Sequence, residues 1–139
     1  MSVVTLAPAP STAHRSFLAF DFGTRRVGVA SGNSLLKSAA PLRSLDCRGD
    51  ARFAAIAQLI AEWQPDALVV GVPRHPDGAP HENTLRAQRF ARQLHGRFRL
   101  PVHEVDERYT TTEAIGQGAA DLDAASAAII LNQFLSTLS

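Results

Sequence analysis

The chain lacks most of what would announce a function from composition alone. It has one cysteine, Cys47, in 139 residues. No internal disulfide can form, which suits a reducing compartment, and Cys47 reads as an ordinary loop or edge residue. No stretch approaches the roughly 20 apolar residues of a membrane span. Met1 to Arg15 have no basic segment ahead of an apolar run, so they do not read as a secretory signal, and the expected location is the cytoplasm. The net charge of +1 excludes the global field by which strongly basic proteins gather nucleic acid. Lysine is almost missing: of 14 basic residues only Lys37 is not arginine. Arginine's planar fork suits phosphate, although a codon bias toward arginine gives the same composition. The five histidines show no metal-ligand spacing, and His75 and His81 share a loop without further partners, so a zinc site is not expected. There is no Ser/His/Asp signature and no glycine-rich phosphate loop.

What is present is enough for one domain with a real core. Residues 1–15, with Ala7-Pro8-Ala9-Pro10, read as a flexible extension outside the fold, and residues 16–139 as the domain. Residues 17–22 form an apolar run closing on Asp21 and Gly23, a buried strand and a turn. Arg26 to Ser31 reads as its hairpin partner. Leu35 to Leu45 supplies a third strand, at an edge or broken, because of Pro41. Asp50 opens a helix with Phe53, Ile56, Ala57 and Ile60 at helical spacing, and Pro65 ends it. Ala67 to Val72 is apolar throughout, as in a parallel strand buried on both faces. A loop with an Asp77-Gly78 turn follows. Asn83 or Thr84 caps the next helix, whose inner stripe is Ala87, Phe90, Ala91 and Leu94. Pro101 to Val105 is the last strand. Thr110 and Glu113 form a capping box, and Asp121 or Asp123 opens the final helix, with Ala124, Ala127, Ala128, Leu131 and Leu135 inward. Trp63 reads as packing at a helix end. A meander followed by βαβ units implies an α/β fold: a mixed sheet of five strands with helices on both faces.

Three acids stand out in this order of elements. Asp21 and Glu107 follow strands whose carboxyl ends share one edge, and Asp123 sits at a helix start. Ligand sites of such sheets form at that edge. Carboxylates gathered there repel unless a cation joins them, and Mg²⁺ or Mn²⁺ prefers such oxygen ligands and keeps waters. Metal held in this way can drive phosphodiester hydrolysis. Arg25, Arg26, Arg74 and Arg108 lie in loops near the same edge and could hold phosphates, or be solvated loop arginines. Thr110 and Thr111 offer hydroxyl and N–H groups at a helix start. Arg86 and Arg89 fall on the exposed side of their helix, where they either track a nucleic-acid backbone or form a solvated face.

Four segments carry a resemblance. Asp21-Phe22-Gly23-Thr24-Arg25-Arg26-Val27-Gly28-Val29-Ala30, Val70-Gly71-Val72-Pro73 with Asp77-Gly78, Asp106-Glu107-Arg108-Tyr109-Thr110-Thr111, and Asp123 to Leu131 resemble the YqgF (RuvX) family, in its order, over residues 16–138. The resemblance implies an RNase H-like fold related to Holliday junction resolvases. It implies a metal-dependent nuclease acting on the 5′ end of pre-16S rRNA, with pre-rRNA and the small ribosomal subunit as partners. Branched DNA is the alternative substrate, and a non-catalytic RNA- or ribosome-binding factor the alternative role. The family's acidic triad falls on Asp21, Glu107 and Asp123. Thr24, Arg25, Arg26, Arg74, Arg108, Thr110 and Thr111 are the expected nucleic-acid contacts. Asp106 and Glu107 point to opposite sides of an extended chain, so only one faces the metal; Glu107 is chosen partly on the resemblance. The segment from Ala114 to Asp123 is short, Gly/Ala-rich and without the basic residues relatives often carry.

Overall fold

The computed structural model describes residues 3–5, 15–73, 82–106 and 122–138. In chain order the elements are β1 (Val3–Thr5), β2 (Ser16–Asp21), β3 (Val27–Asn33), β4 (Ser38–Leu45), α1 (Asp50–Trp63), β5 (Ala67–Val72), α2 (Glu82–Phe98), β6 (Val102–Asp106) and α3 (Leu122–Ser136). They form one sheet in the order β1-β6-β5-β2-β3-β4. The β2, β5 and β6 strands are parallel neighbours, and the β2-β3-β4 meander and β1 are antiparallel. The mixed sheet is as expected, with one strand more. Residues 1–15 were expected to stand outside the fold, but Val3–Thr5 pairs with His103–Val105. Two β-branched valines and a threonine suit a strand, and they cover hydrogen-bonding groups that β6 would otherwise present at an open edge.

The alternation along each strand assigns the faces. Leu18 and Phe20 pack with Leu68, Val70 and Val102 under α1 and α2. Phe17 and Ala19 pack with Ala67, Val69 and Val105 under α3. Both faces of β5 are buried, which is why its sequence is apolar without alternation. Each fully buried Phe or Leu side chain contributes about 1.5–3 kcal/mol, so these two layers carry the fold. The inner stripe of α2 is the expected Ala87, Phe90, Ala91 and Leu94, joined by Thr84. That helix starts at Glu82, so Asn83 and Thr84 lie inside its first turn, and the Thr84 hydroxyl donates to the Pro73 carbonyl. The α1 stripe is rotated from expectation: Arg52, Phe53, Ile56 and Leu59 are buried while Ala57 is exposed. Trp63 is 44% exposed rather than packed at the helix end. The β4 strand is indeed an edge strand; its register slips at Leu42, between Val29↔Arg43 and Ala30↔Pro41, where Pro41 needs no ladder donor. Cys47 is a half-buried free thiol against the α1/α2 core.

Candidate active site

The parallel order of β2, β5 and β6 brings their carboxyl ends to one edge of the sheet. Asp21 is the last residue of β2 and shares the parity of Phe17 and Ala19, so its carboxylate turns to the α3 face. Its two lateral neighbours are glycines: Gly28 across the antiparallel β3 and Gly71 across the parallel β5. The carboxylate is therefore not crowded by side chains from the adjoining strands. Above Gly28 lies the first turn of α3. A Cβ on Gly28 would collide with the Asp123 backbone carbonyl and stand 2.9 Å from the Ala124 nitrogen. The missing side chain is what lets the helix start descend onto the sheet beside Asp21.

Asp123 is in the first turn of α3, one residue inside the helix rather than at its cap. Its Oδ2 accepts a bond from the Ser44 hydroxyl at 3.2 Å and pairs with Arg26 Nε at 3.2 Å. Ser44 is the β4 partner of Gly28, so Gly71, Asp21, Gly28 and Ser44 make one row across the sheet with Asp123 above it. Ser126, one helical turn beyond Asp123, donates its hydroxyl to the Asp21 carboxylate. Burial first, and then the Asp123 charge, raise the Asp21 pKa from 3.8 to about 6, against the lowering effect of the Ser126 bond. Two carboxylates thus face one another in a partly desolvated place.

Of the expected phosphate-contacting residues, Thr24, Arg25 and Arg26 are exposed on the β2–β3 connection, and Arg26 is already engaged with Asp123. Asp106 ends β6 opposite Val72, on the parity of Val102, and so lies on the α2 face, away from Asp21. Glu107, Arg74, Arg108, Thr110 and Thr111 lie outside the described residues, as do the Asp77-Gly78 turn and the Thr110–Glu113 capping box. Among the described residues no group of three or more potential metal ligands occurs; Asp21 and Asp123 form a pair. The pair fits Mg²⁺ or Mn²⁺: all donors are oxygen, and the burial and facing charge that raise the Asp21 pKa are both offset by a cation.

Ser44, Ser126 and Arg52 are functional candidates the sequence did not single out. Ser126 has a signal in hindsight, its i+3 spacing from Asp123. Arg52 has none, because an arginine beside Phe53 on an amphipathic helix looks solvated. It is 6% exposed. Its Nε donates to the Cys47 carbonyl at 2.9 Å and its Nη2 to the Thr24 carbonyl at 3.3 Å, with the guanidinium over the Phe22 ring at 5.7 Å. It thereby ties the start of α1 to the loop that carries Thr24, Arg25 and Arg26. Arg52→Met is expected to cost about 1–3 kcal/mol, because two carbonyls lose a charged donor. Amide exchange should quicken across Thr24–Arg26; thermal melts and hydrogen exchange measure both.

A mixed α/β sheet with a carboxylate pair at the carboxyl edge of its parallel strands defines the class of protein. The family model described as "RuvX: Holliday junction resolvase" matches residues 15–137, and the chain belongs to that family. A relative from Albidiferax ferrireducens, named "Putative pre-16S rRNA nuclease", is 62% identical over 137 residues, covering 95% of this chain and 88% of its own length. One of the same name from a Polaromonas species is 64% identical over 124 residues, covering 89% and 90%. The structure of T. thermophilus RuvC in complex with a Holliday junction substrate superposes with a TM-score of 0.54 at 15% identity, covering 88% of this chain and 94% of that one. At that identity the likeness shows the fold, the RNase H-like arrangement expected from the sequence. Among the described residues no helix is long and apolar enough to cross a membrane.

Proposed function

We propose that the chain is a divalent-metal-dependent nuclease that hydrolyses RNA phosphodiesters at the 5′ end of pre-16S rRNA in the cytoplasm, in association with the small ribosomal subunit. The observation that carries the reading is the facing pair Asp21 and Asp123, with the Asp21 pKa raised to about 6. The names of the relatives supply the substrate. Asp21, Asp123 and Glu107 hold Mg²⁺ or Mn²⁺. When bound, the ion supplies charge neutralisation and Lewis-acid polarisation at the scissile phosphate.

The chain's own residues do the positioning. Ser126 fixes the Asp21 carboxylate, and Ser44 and Arg26 fix Asp123 through Oδ2. Glu107 is preferred to Asp106 as the third acid because Asp106 lies on the α2 face. Thr24, Arg25, Arg26, Arg74, Arg108, Thr110 and Thr111 receive the nucleic-acid backbone, and the arginines hold phosphate oxygens by paired N–H donors. Metal binding needs ionised Asp21, so the apparent affinity for the ion falls as the pH drops through about 6, and more of the ion is needed to support cutting there.

The test is cleavage of a labelled RNA carrying the 16S 5′ leader, with Mn²⁺, with Mg²⁺ and with chelator. Cutting is expected with either ion and none with chelator; undiminished cutting in chelator overturns the metal role. The family model's description favours a second reading, cutting of branched DNA by the same carboxylates. A four-way DNA junction in the same assay separates the two: cleavage of the junction alone selects the second.

A further inference from the structure

The face opposite Asp21 holds a feature that the paired carboxylates do not use. At the carboxyl edge, between the start of α1 and the first half of α2, a cleft of about 260 Å³ opens. Phe22, Phe53 and Phe90 give it an aromatic floor, with the Phe90 ring centroid 5.1 Å from that of Phe22 and 6.0 Å from that of Phe53. Arg52, Arg86 and Arg89 line it, and no carboxylate does among the described residues. Arg52 is buried, its two bonds go to neutral carbonyls, and it forms no ion pair among the described residues. A partly desolvated cation with no counter-charge among the described residues is stabilised by an incoming anion. Arg86 is held at 2.6 Å by Glu82, an exposed residue one turn earlier that competes for it.

We propose that this cleft binds a nucleotide of the substrate strand adjoining the one at Asp21 and Asp123. Arg52, Arg86 and Arg89 take phosphate, and the phenylalanine rings carry ribose and base. The inference rests on the nuclease reading and adds the path of the strand. Asp21 and Phe22 are consecutive and their side chains turn to opposite faces, so a strand passing over the sheet edge meets both. The apolar floor demands an unstacked base, hence a single-stranded segment there.

The test uses the full chain carrying Asp21→Asn, so that binding is read without cutting, and a fluorescein-labelled single-stranded RNA of mixed sequence. Adding Arg86→Ala and Arg89→Ala together is expected to weaken binding about tenfold and to flatten the dependence of log K on log salt by about 1.4, two phosphate contacts at about 0.7 each. Glu82→Gln is expected to tighten binding by freeing Arg86, whereas Glu62→Gln, near the far end of α1, leaves it unchanged. These four side chains are exposed, so thermal melts should match across the set. Unchanged affinity and salt slope in the double arginine variant would overturn the cleft. If affinity is unchanged and that variant, with Asp21 restored, cuts RNA as the native chain does, only the cleft falls; if the chain with an intact cleft neither binds nor cuts RNA, the nuclease reading falls with it. Unchanged RNA affinity, with binding of polyglutamate that the double variant abolishes, would overturn the proposal in favour of an acidic protein partner.

Discussion

Asp21→Asn is expected to abolish RNA cutting and, at pH 7 without metal, to raise the melting temperature. Asparagine keeps the shape and an oxygen that can accept the Ser126 hydroxyl, but it removes the charge that faces Asp123. The folded chain holds the Asp21 proton up to about pH 6, whereas the unfolded chain releases it near 3.8. At this group the folded state therefore binds more protons between those values, and its contribution to stability falls as pH rises through that window. The shift of about 2 pH units corresponds to roughly 3 kcal/mol at most, since one unit is about 1.4 kcal/mol. This stabilising effect of low pH is fully present below 3.8 and lost above about 6. Burial lowers the His103 pKa from 6.5 to about 4, so that group acts in the opposite direction over nearly the same window. The Asp21 contribution is therefore read as a difference: in melts from pH 4 to 8 in chelator, the native chain should lose stability relative to the Asn variant as pH rises. Added Mg²⁺ or Mn²⁺ should raise the melting temperature of the native chain at pH 7 by mass action and leave the variant's unmoved. A variant that still cuts, or that melts well below the native chain at pH 7, would contradict the assigned role of Asp21.

Much of this arrangement could be read in the sequence because the relevant signals are local. An apolar run that stops at Asp21-Phe22-Gly23 marks a strand end, and the unbroken Ala67–Val72 run marks a strand covered on both sides. The Ala87, Phe90, Ala91 and Leu94 spacing marks the inner stripe of α2. What escaped depends on partners distant in sequence. Val3–Thr5 becomes a strand because β6, about a hundred residues on, offers it an edge. A three-residue segment carries too little pattern to announce that. Arg52 is buried because two carbonyls and the Phe22 ring receive it, none of them visible in a helical periodicity. Trp63 shares the helical direction of Ile56 and Leu59 but is the last residue of α1 and stays 44% exposed there, which periodicity alone does not reveal. For the site itself, the residue types of Asp21 and Asp123 were legible. The means by which they meet, a glycine across the ladder and two serines beneath and beside them, was not.

Gly28→Ala is expected to be strongly destabilising. The new Cβ would run into the Asp123 carbonyl and lie 2.9 Å from the Ala124 nitrogen, and these are backbone atoms with no rotamer to yield. Either β3 bends away between its two neighbours or the first turn of α3 lifts. Overpacking of this kind costs about 1–3 kcal/mol and sometimes more. Gly96→Ala in α2 is the natural control, because a Cβ there meets nothing within 4 Å. In a helix interior that change is expected to stabilise by about 0.5–1 kcal/mol. Thermal melts of the two variants should therefore move in opposite directions. If α3 lifts, Asp123 leaves Asp21, and the Asp21 pKa should fall from about 6 toward the ordinary carboxylate range as the facing charge and the burial are lost. The carboxyl resonance of Asp21, followed by NMR titration, reports that directly. Cleavage should fall with it, since two acids held apart no longer share an ion. A Gly28→Ala chain that matched Gly96→Ala in stability, with the Asp21 pKa still near 6, would mean that the approach of α3 to the sheet does not bring the two acids together.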